Sequence, residues 1–296
     1  ELGLLAELER RGLAVDVAHD AAQLGGGLVV TQDALVEGIH FRLDWTSWRD
    51  LGYKAAAVNV SDLAASAAAP EALIVSLGLP PATRVEDVVA LYEGIAEAGV
   101  PVRGGDTTQA DRLYLSITAL GRADRVPGRA GARPGDLVVV TGPLGASGAG
   151  LLELQAGVLA GPLVDAHRRP PLRLGQGRTL GPVATALMDV SDGLATDAGH
   201  IARRSSVRLV VELGRVPVAP GVAEVAARRD RTAHDLACAA GEDYELLATV
   251  PPGAPLPDGA TVIGRCEAPG PGGPRAAFLD AAGHEVALHG WEHFKQ

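Results

Sequence analysis

Apolar and polar residues alternate from Leu113 to Leu120, with Leu113, Leu115, Ile117 and Ala119 all apolar. A period of two predicts a strand there with one face on a core. At the start of the chain, Leu4, Leu5 and Leu8 recur at helical spacing and predict an amphipathic helix over Leu2–Arg11. Short apolar runs predict further strands at Leu28–Thr31, Ala72–Leu79, Asp136–Thr141, Val183–Leu187, Val207–Leu213, Leu246–Val250, Thr261–Cys266 and Ala276–Leu279. A hairpin at Ala281-Ala282-Gly283 follows the last of these. Trp48–Ala68 reads as a long Ala-rich helix, and a second helix to Ala98 opens at Thr83-Arg84-Val85-Glu86, the sequence of a capping box. Helices are also expected near Leu151–Leu159, Leu172–Leu180 and Leu194–Arg204.

The alternation of strands and helices predicts a mixed α/β or α+β chain. Ala123–Gly135, rich in Gly, Pro and Arg, breaks the pattern. The boundary is placed there, giving an N-terminal α/β domain over 1–124 and a C-terminal one over 125–296. At 47% hydrophobic residues, 296 positions suffice for two cores. A net charge of −10 argues against a nucleic-acid or anionic-membrane surface. The two cysteines, Cys238 and Cys266, form no CxxC pair, so neither a disulfide framework nor a zinc site is expected. No apolar run is long enough to span a bilayer, and the first residues do not read as a signal peptide. A cytoplasmic location is the resulting expectation.

The chemistry is carried by carboxylates. Asp189, Asp192 and Asp197 fall within nine positions, with no Lys or Arg among them, where a short strand turns into a helix. Helix N-termini favour phosphate, and carboxylates there would repel it unless a divalent cation lay between. Taken alone, Asp192 also fits a simple helix cap. Asp20, Asp33, Asp62 and Asp106 each fall at or near a strand end, or in a helix facing one. Asp62 lies within the Ala-rich helix and needs a partner if buried. Val102–Thr108 reads as a short strand running into a Gly-rich turn. Gly142–Gly150 looks like a phosphate loop but lacks the Gly-Lys-Ser/Thr of a Walker A, and a purely structural turn fits it equally. Only Lys54 and Lys295 are lysines among the 26 basic residues, so phosphate contacts would fall to Arg, backbone N–H or metal.

Six strings together resemble the signatures of the thiamine-monophosphate kinase family. They are Thr31–Phe41, Val58–Ala64, Gly104–Thr108, Asp189–Leu194, Gly241–Leu246 and Gly290–Phe294, in order over nearly the whole chain. The resemblance implies two domains of the aminoimidazole ribonucleotide synthetase-like type and a dimer formed through the N-terminal sheets. It implies ATP-dependent phosphorylation of thiamine monophosphate to thiamine diphosphate, assisted by several Mg²⁺ ions. Carried over by motif, Asp20, Thr31, Gln32, Asp33, Asp62, Asp106, Asp189 and Asp192 look like metal ligands. Gly105, Asp106, Arg129 and Ser191 look like ATP contacts, and His40, Glu242 and Trp291 like contacts to thiamine monophosphate. The chain departs from the family pattern at His19, Gln32 and Ala240. No general base is expected, because the acceptor is a phosphate monoester that is already largely ionised at neutral pH. The alternatives are another ATP-dependent kinase or synthetase of the superfamily, or a non-catalytic protein that binds nucleotide and metal.

Overall fold

A computed structural model of the chain describes residues 2–15, 19–288 and 290. The N-terminal part carries helices α1 (Leu2–Arg10), α2 (Trp48–Ala65) and α3 (Val85–Glu97). Its strands are β1 (Ala22–Gln23), β2 (Leu28–Val36), β3 (Ala69–Leu79), β4 (Val102–Gln109) and β5 (Tyr114–Arg122). They form one five-stranded sheet in the order β1-β2-β5-β3-β4, antiparallel except for the β3–β4 pair. The alternation read in the sequence is the alternation of the sheet: Leu113, Leu115, Ile117 and Ala119 are at most 1% exposed. They pack with Leu73, Val75 and Leu77 of β3 against Leu51, Ala55 and Leu63 of α2 and Leu91 of α3.

Helices α2 and α3 meet backbone to backbone. A Cβ on Gly52 would lie 1.9 Å from the Leu91 carbonyl oxygen, and one on Gly94 would lie 1.8 Å from that of Arg49. Only glycine permits this approach. The opposite face of the sheet is open among the described residues. Gln32 is exposed on it, and edge strand β4 is exposed from Arg103 to Gln109.

The C-terminal part carries α4 (Ala146–Gln155), α5 (Pro162–Arg168), α6 (Leu174–Leu180), α7 (Leu194–Ser205), α8 (Val222–Ala227) and α9 (Ala233–Ala239). Its strands are β6 (Leu137–Val140), β7 (Ala186–Asp189), β8 (Arg208–Glu212), β9 (Leu246–Val250), β10 (Thr261–Glu267), β11 (Arg275–Leu279) and β12 (Glu285–Val286). These form a seven-stranded sheet in the order β12-β11-β8-β10-β6-β9-β7. The end of α2 packs into this half too: Ala64 and Ala65 share a core with Val139, Leu180, Leu187 and Leu246. Helix α2 therefore joins the two sheets, and polar residues in its last turns, such as Ser61 and Asp62, sit between them.

Several local expectations change. Val102–Gln109 continues as a strand through Gly104 and Gly105, because pairing with β3 holds it extended. Strand β2 runs on to Val36, so Asp33 lies inside it, held by pairing with Ile117. The capping box at Thr83 is not formed: Arg84 occupies the N-cap, without a side-chain cap bond. A capping box does form at Thr232 and Asp235, opening α9. Helices α5, α8 and α9 span only six or seven residues each, too short for a helical period to stand out in the sequence.

Candidate active site

The carboxylates come together where α2 crosses between the sheets. Ligand oxygens of Asp20, Asp62 and Asp189 lie within 4.8 Å of one another. Each arrives from a different element: Asp20 from the segment before β1, Asp62 from the last turns of α2, and Asp189 from the end of β7. Inward-facing Asp33 of β2 adds its charge. Burial, and then neighbouring carboxylates, push these groups up: Asp33 to about 6, Asp189 to about 8, and Asp62 well above the usual carboxylate range.

Hydroxyls and one cation steady the cluster. Thr31 Oγ1 lies 2.5 Å from Asp62 Oδ2 and 2.9 Å from the Asp20 carbonyl oxygen, and Ser61 donates to Asp189 Oδ2 at 2.6 Å. Arg129 reaches in from the interdomain segment and donates to Asp20 Oδ1. Three close carboxylates, backed by a fourth and faced by one arginine, are an all-oxygen set with excess negative charge. Such a donor set fits a hard divalent cation.

The turn after β7 is tied to the segment before β9. Ser191 O accepts from the backbone N–H of Glu242 at 2.8 Å, and Val190 O accepts from that of Tyr244 at 3.0 Å. Gly241, at φ +76°, packs so closely that a Cβ would lie 2.5 Å from Ser191 O. Glu242 is thereby held beside Ser191 and Asp192. Its own φ is +58°, a left-handed conformation uncommon for a non-glycine residue. Its side chain meets Lys54, 4% exposed on α2, with Nζ 2.9 Å from Oε1. Burial raises the Glu242 carboxyl, but Lys54, with His167 and His40, outweighs it and holds the group below its ordinary value. His167 Nδ1 lies 3.6 Å from Glu242 Oε2 and 3.0 Å from Ser147 Oγ. Burial, then Lys54, drives that imidazole down to about 4. Lys54 and His167 have no role in the sequence reading. The available signal was a lone lysine in an Ala/Val-rich helix, eight positions before Asp62.

Other expected site residues stand apart. Gln32 points to the open sheet face, where its Nε2 donates to Ser116 Oγ at 2.8 Å. Gly105 shares a cross-strand row with Asp33, through Ile117 and Val75, whereas Asp106 falls in the next row beside Ser76 and is exposed. His40 sits past the end of β2 with Nδ1 accepting the Val36 backbone N–H at 3.1 Å. Trp291 lies outside the described residues, but Gly290 backs onto the Asp192 carbonyl, where a Cβ would lie 2.5 Å away.

Gly142–Gly150 resolves to a structural turn. The Gly145 and Ser147 backbone N–H groups at the start of α4 both donate to Asp243, at 2.7 and 3.2 Å. The protein's own carboxylate takes the position a phosphate would occupy. A surface groove of about 590 Å³ along α3, lined by residues from Leu79 to Ala96, holds none of the expected site residues.

Comparison with known proteins identifies the family. Residues 18–123 match the family model for the AIR synthase related protein, N-terminal domain, and residues 133–267 match that for its C-terminal domain. A thiamine-monophosphate kinase of Aquifex aeolicus is 35% identical over 280 residues, covering 90% of this chain and 88% of the relative. One from Methanopyrus kandleri is 39% identical over 251 residues, covering 83% and 81%. A solved structure of AaThiL complexed with AMPPCP and TMP superposes with a TM-score of 0.91 at 32% identity, covering 99% of this chain and 97% of that one. With two AIR synthase related domains in order and this similarity along nearly its full length, the chain belongs to the thiamine-monophosphate kinase family.

Proposed function

We propose that the chain transfers the γ-phosphoryl group of ATP to thiamine monophosphate by direct in-line displacement, yielding ADP and thiamine diphosphate. A terminal phosphate oxygen of the acceptor forms the new P–O bond as the bond to ADP breaks. That oxygen is already largely ionised at neutral pH, so no side chain need take a proton. The problem left to the protein is to align two polyanions.

The observation that carries this reading is the junction cluster of Asp20, Asp62 and Asp189, with ligand oxygens within 4.8 Å. In this proposal Asp20, Asp33, Asp62 and Asp189, with Thr31, hold Mg²⁺ ions at the junction and Asp192 holds a further ion, while Gln32 and Asp106 stand outside this set. Bound Mg²⁺ would supply charge neutralisation and a template for the phosphates. Arg129, Ser191, Gly105 and Asp106 serve ATP. Arg129 already spans from the interdomain segment to Asp20, which suits a residue that couples nucleotide to metal.

His40, Glu242 and Trp291 are assigned to the organic part of the acceptor. Lys54 keeps Glu242 ionised, which provides a carboxylate for the cationic thiazolium or the pyrimidine amine. The open face of the five-stranded sheet and its exposed β4 edge support a homodimer joined there. No described helix is long and apolar enough to cross a membrane, which accords with a cytoplasmic enzyme.

The deciding experiment measures thiamine diphosphate and ADP formed from ATP, Mg²⁺ and thiamine monophosphate. Equal production of both is expected, with none when Mg²⁺ is chelated. Phosphorylation of free thiamine but not of the monophosphate would sink the proposal.

A further inference from the structure

We propose a second, separate cation site, built by Asp192, Asp197 and His200 and suited to a transition-metal dication such as Mn²⁺. Ligand atoms of these three side chains lie within 4.8 Å of one another. All three come from one short stretch: Asp192 from the turn before α7, and Asp197 and His200 from successive turns of that helix. Residues three apart on a helix share a face, so the donors converge by local geometry alone.

The independent sign of a ligand is Asp197. Its side chain is 1% exposed, and its Oδ2 is buried without a hydrogen-bond partner. A buried carboxylate oxygen without a partner is costly, and such groups are normally hydrogen-bonded, paired or metal-bound. No Lys or Arg within 4 Å pairs with Asp197 among the described residues, and Arg129, the nearby cation, is engaged with Asp20. A competing contact to His200 comes from Arg203, whose Nη2 lies 3.5 Å from Nδ1, at the limit of a hydrogen bond. Arg203 is exposed and free to swing aside.

The donor set decides the class of metal. Asp20, Asp62 and Asp189 offer oxygen only, which suits Mg²⁺. One imidazole nitrogen with two carboxylates shifts preference toward first-row transition metals, whose affinity for nitrogen exceeds that of Mg²⁺. The two clusters would therefore sort cations by chemistry although they lie on either side of one turn. The inference extends the metal role proposed above for Asp192, but its test needs no catalysis.

The test titrates Mn²⁺ into nucleotide-free full-length protein and follows free Mn²⁺ by electron paramagnetic resonance, with and without millimolar Mg²⁺. Wild-type protein should retain one Mn²⁺ that excess Mg²⁺ does not displace. His200→Gln should weaken that ion by about tenfold or more, the loss of about 1.4 kcal/mol of binding. Asp197→Asn should do the same, while Asp62→Asn should leave it in place. Circular dichroism identifies a variant that fails to fold, and half-buried His200 provides the milder of the two substitutions. Displacement of all Mn²⁺ by Mg²⁺ in the wild type would overturn the site. So would unchanged Mn²⁺ retention in both folded variants, and Asp197 would then be a counter-charge for Arg129. Because Mn²⁺ binding is read directly, an enzyme inactive toward thiamine monophosphate leaves this result standing.

Discussion

Two groups of buried acids in this molecule are treated in opposite ways. Asp243 and Glu245, on the segment entering β9, are fully furnished with partners. Asp243 accepts two backbone N–H groups from the start of α4, and Glu245 accepts from Thr141 Oγ1 at 2.6 Å and from Arg173 in a two-pronged contact. Asp189, about as deep, and half-buried Asp62 receive one hydroxyl each and otherwise face more carboxylates. The first group spends its charge inside the fold, capping a helix and closing a strand-to-helix turn. The second leaves charge uncompensated, which folding alone does not favour and a bound cation would relieve. The partner inventory of a buried acid, more than its depth, separates a structural role from a binding one.

The contrast is broken most directly at Glu245. Glu245→Ala strands Arg173 and Thr141 and should cost about 3–5 kcal/mol of stability, the usual penalty for removing one half of a buried pair. Urea denaturation should show this equally with and without Mg²⁺; rescue by Mg²⁺ would move Glu245 into the metal group. Asp62→Asn should behave inversely. Losing a metal contact worth several kcal/mol predicts a fall in turnover of about 10²–10³-fold. The Mg²⁺-free melting temperature should hold or rise as repulsion is removed. A variant both inactive and clearly less stable would place Asp62 with Asp243 and Glu245.

Next in size is a pH effect. Asp33 and Asp189 titrate at about 6 and about 8 in the folded chain, above their unfolded values. The folded state therefore holds protons that the unfolded state has lost, and stability falls as pH rises from about 4 through 8. Differential scanning calorimetry without divalent cations should show that decline, and Mg²⁺ should flatten it. A decline of equal slope with Mg²⁺ would remove the cation from the account. The smallest effect is expected from Asp243→Asn, which keeps one acceptor for the α4 N-terminus but loses the charge. About 1–2 kcal/mol should be lost at pH 8, within the range of helix-cap replacements. The loss should grow on acidification, since burial raises the Asp243 carboxyl to about 7 and its protonation stabilises only the wild-type fold.

Much of the architecture was legible because it repeats locally. The 113–119 alternation, the Ala-rich α2 and the strand at Leu246–Val250 each state a burial pattern within a few residues. The capping box at Thr83 shows the limit of such reading: the pattern was present, yet Arg84, one residue later, took the N-cap of a helix that begins at Val85, and no side chain capped it. Gly104-Gly105 read as a turn because the two glycines lower strand preference, while pairing with β3 overrode that preference.

The sequence by itself named the acids and the motifs that hold them, because motif residues are neighbours in the chain. Which acids meet, and what each one faces, depended on contacts between distant segments. Asp243 reaches Gly145 across 98 positions, and Ser61 reaches Asp189 across 128. Lys54 finds Glu242 only because α2 lies between the two sheets. Charge compensation is set by distance in space, and the chain order carries no record of that distance until α2 has packed against both halves.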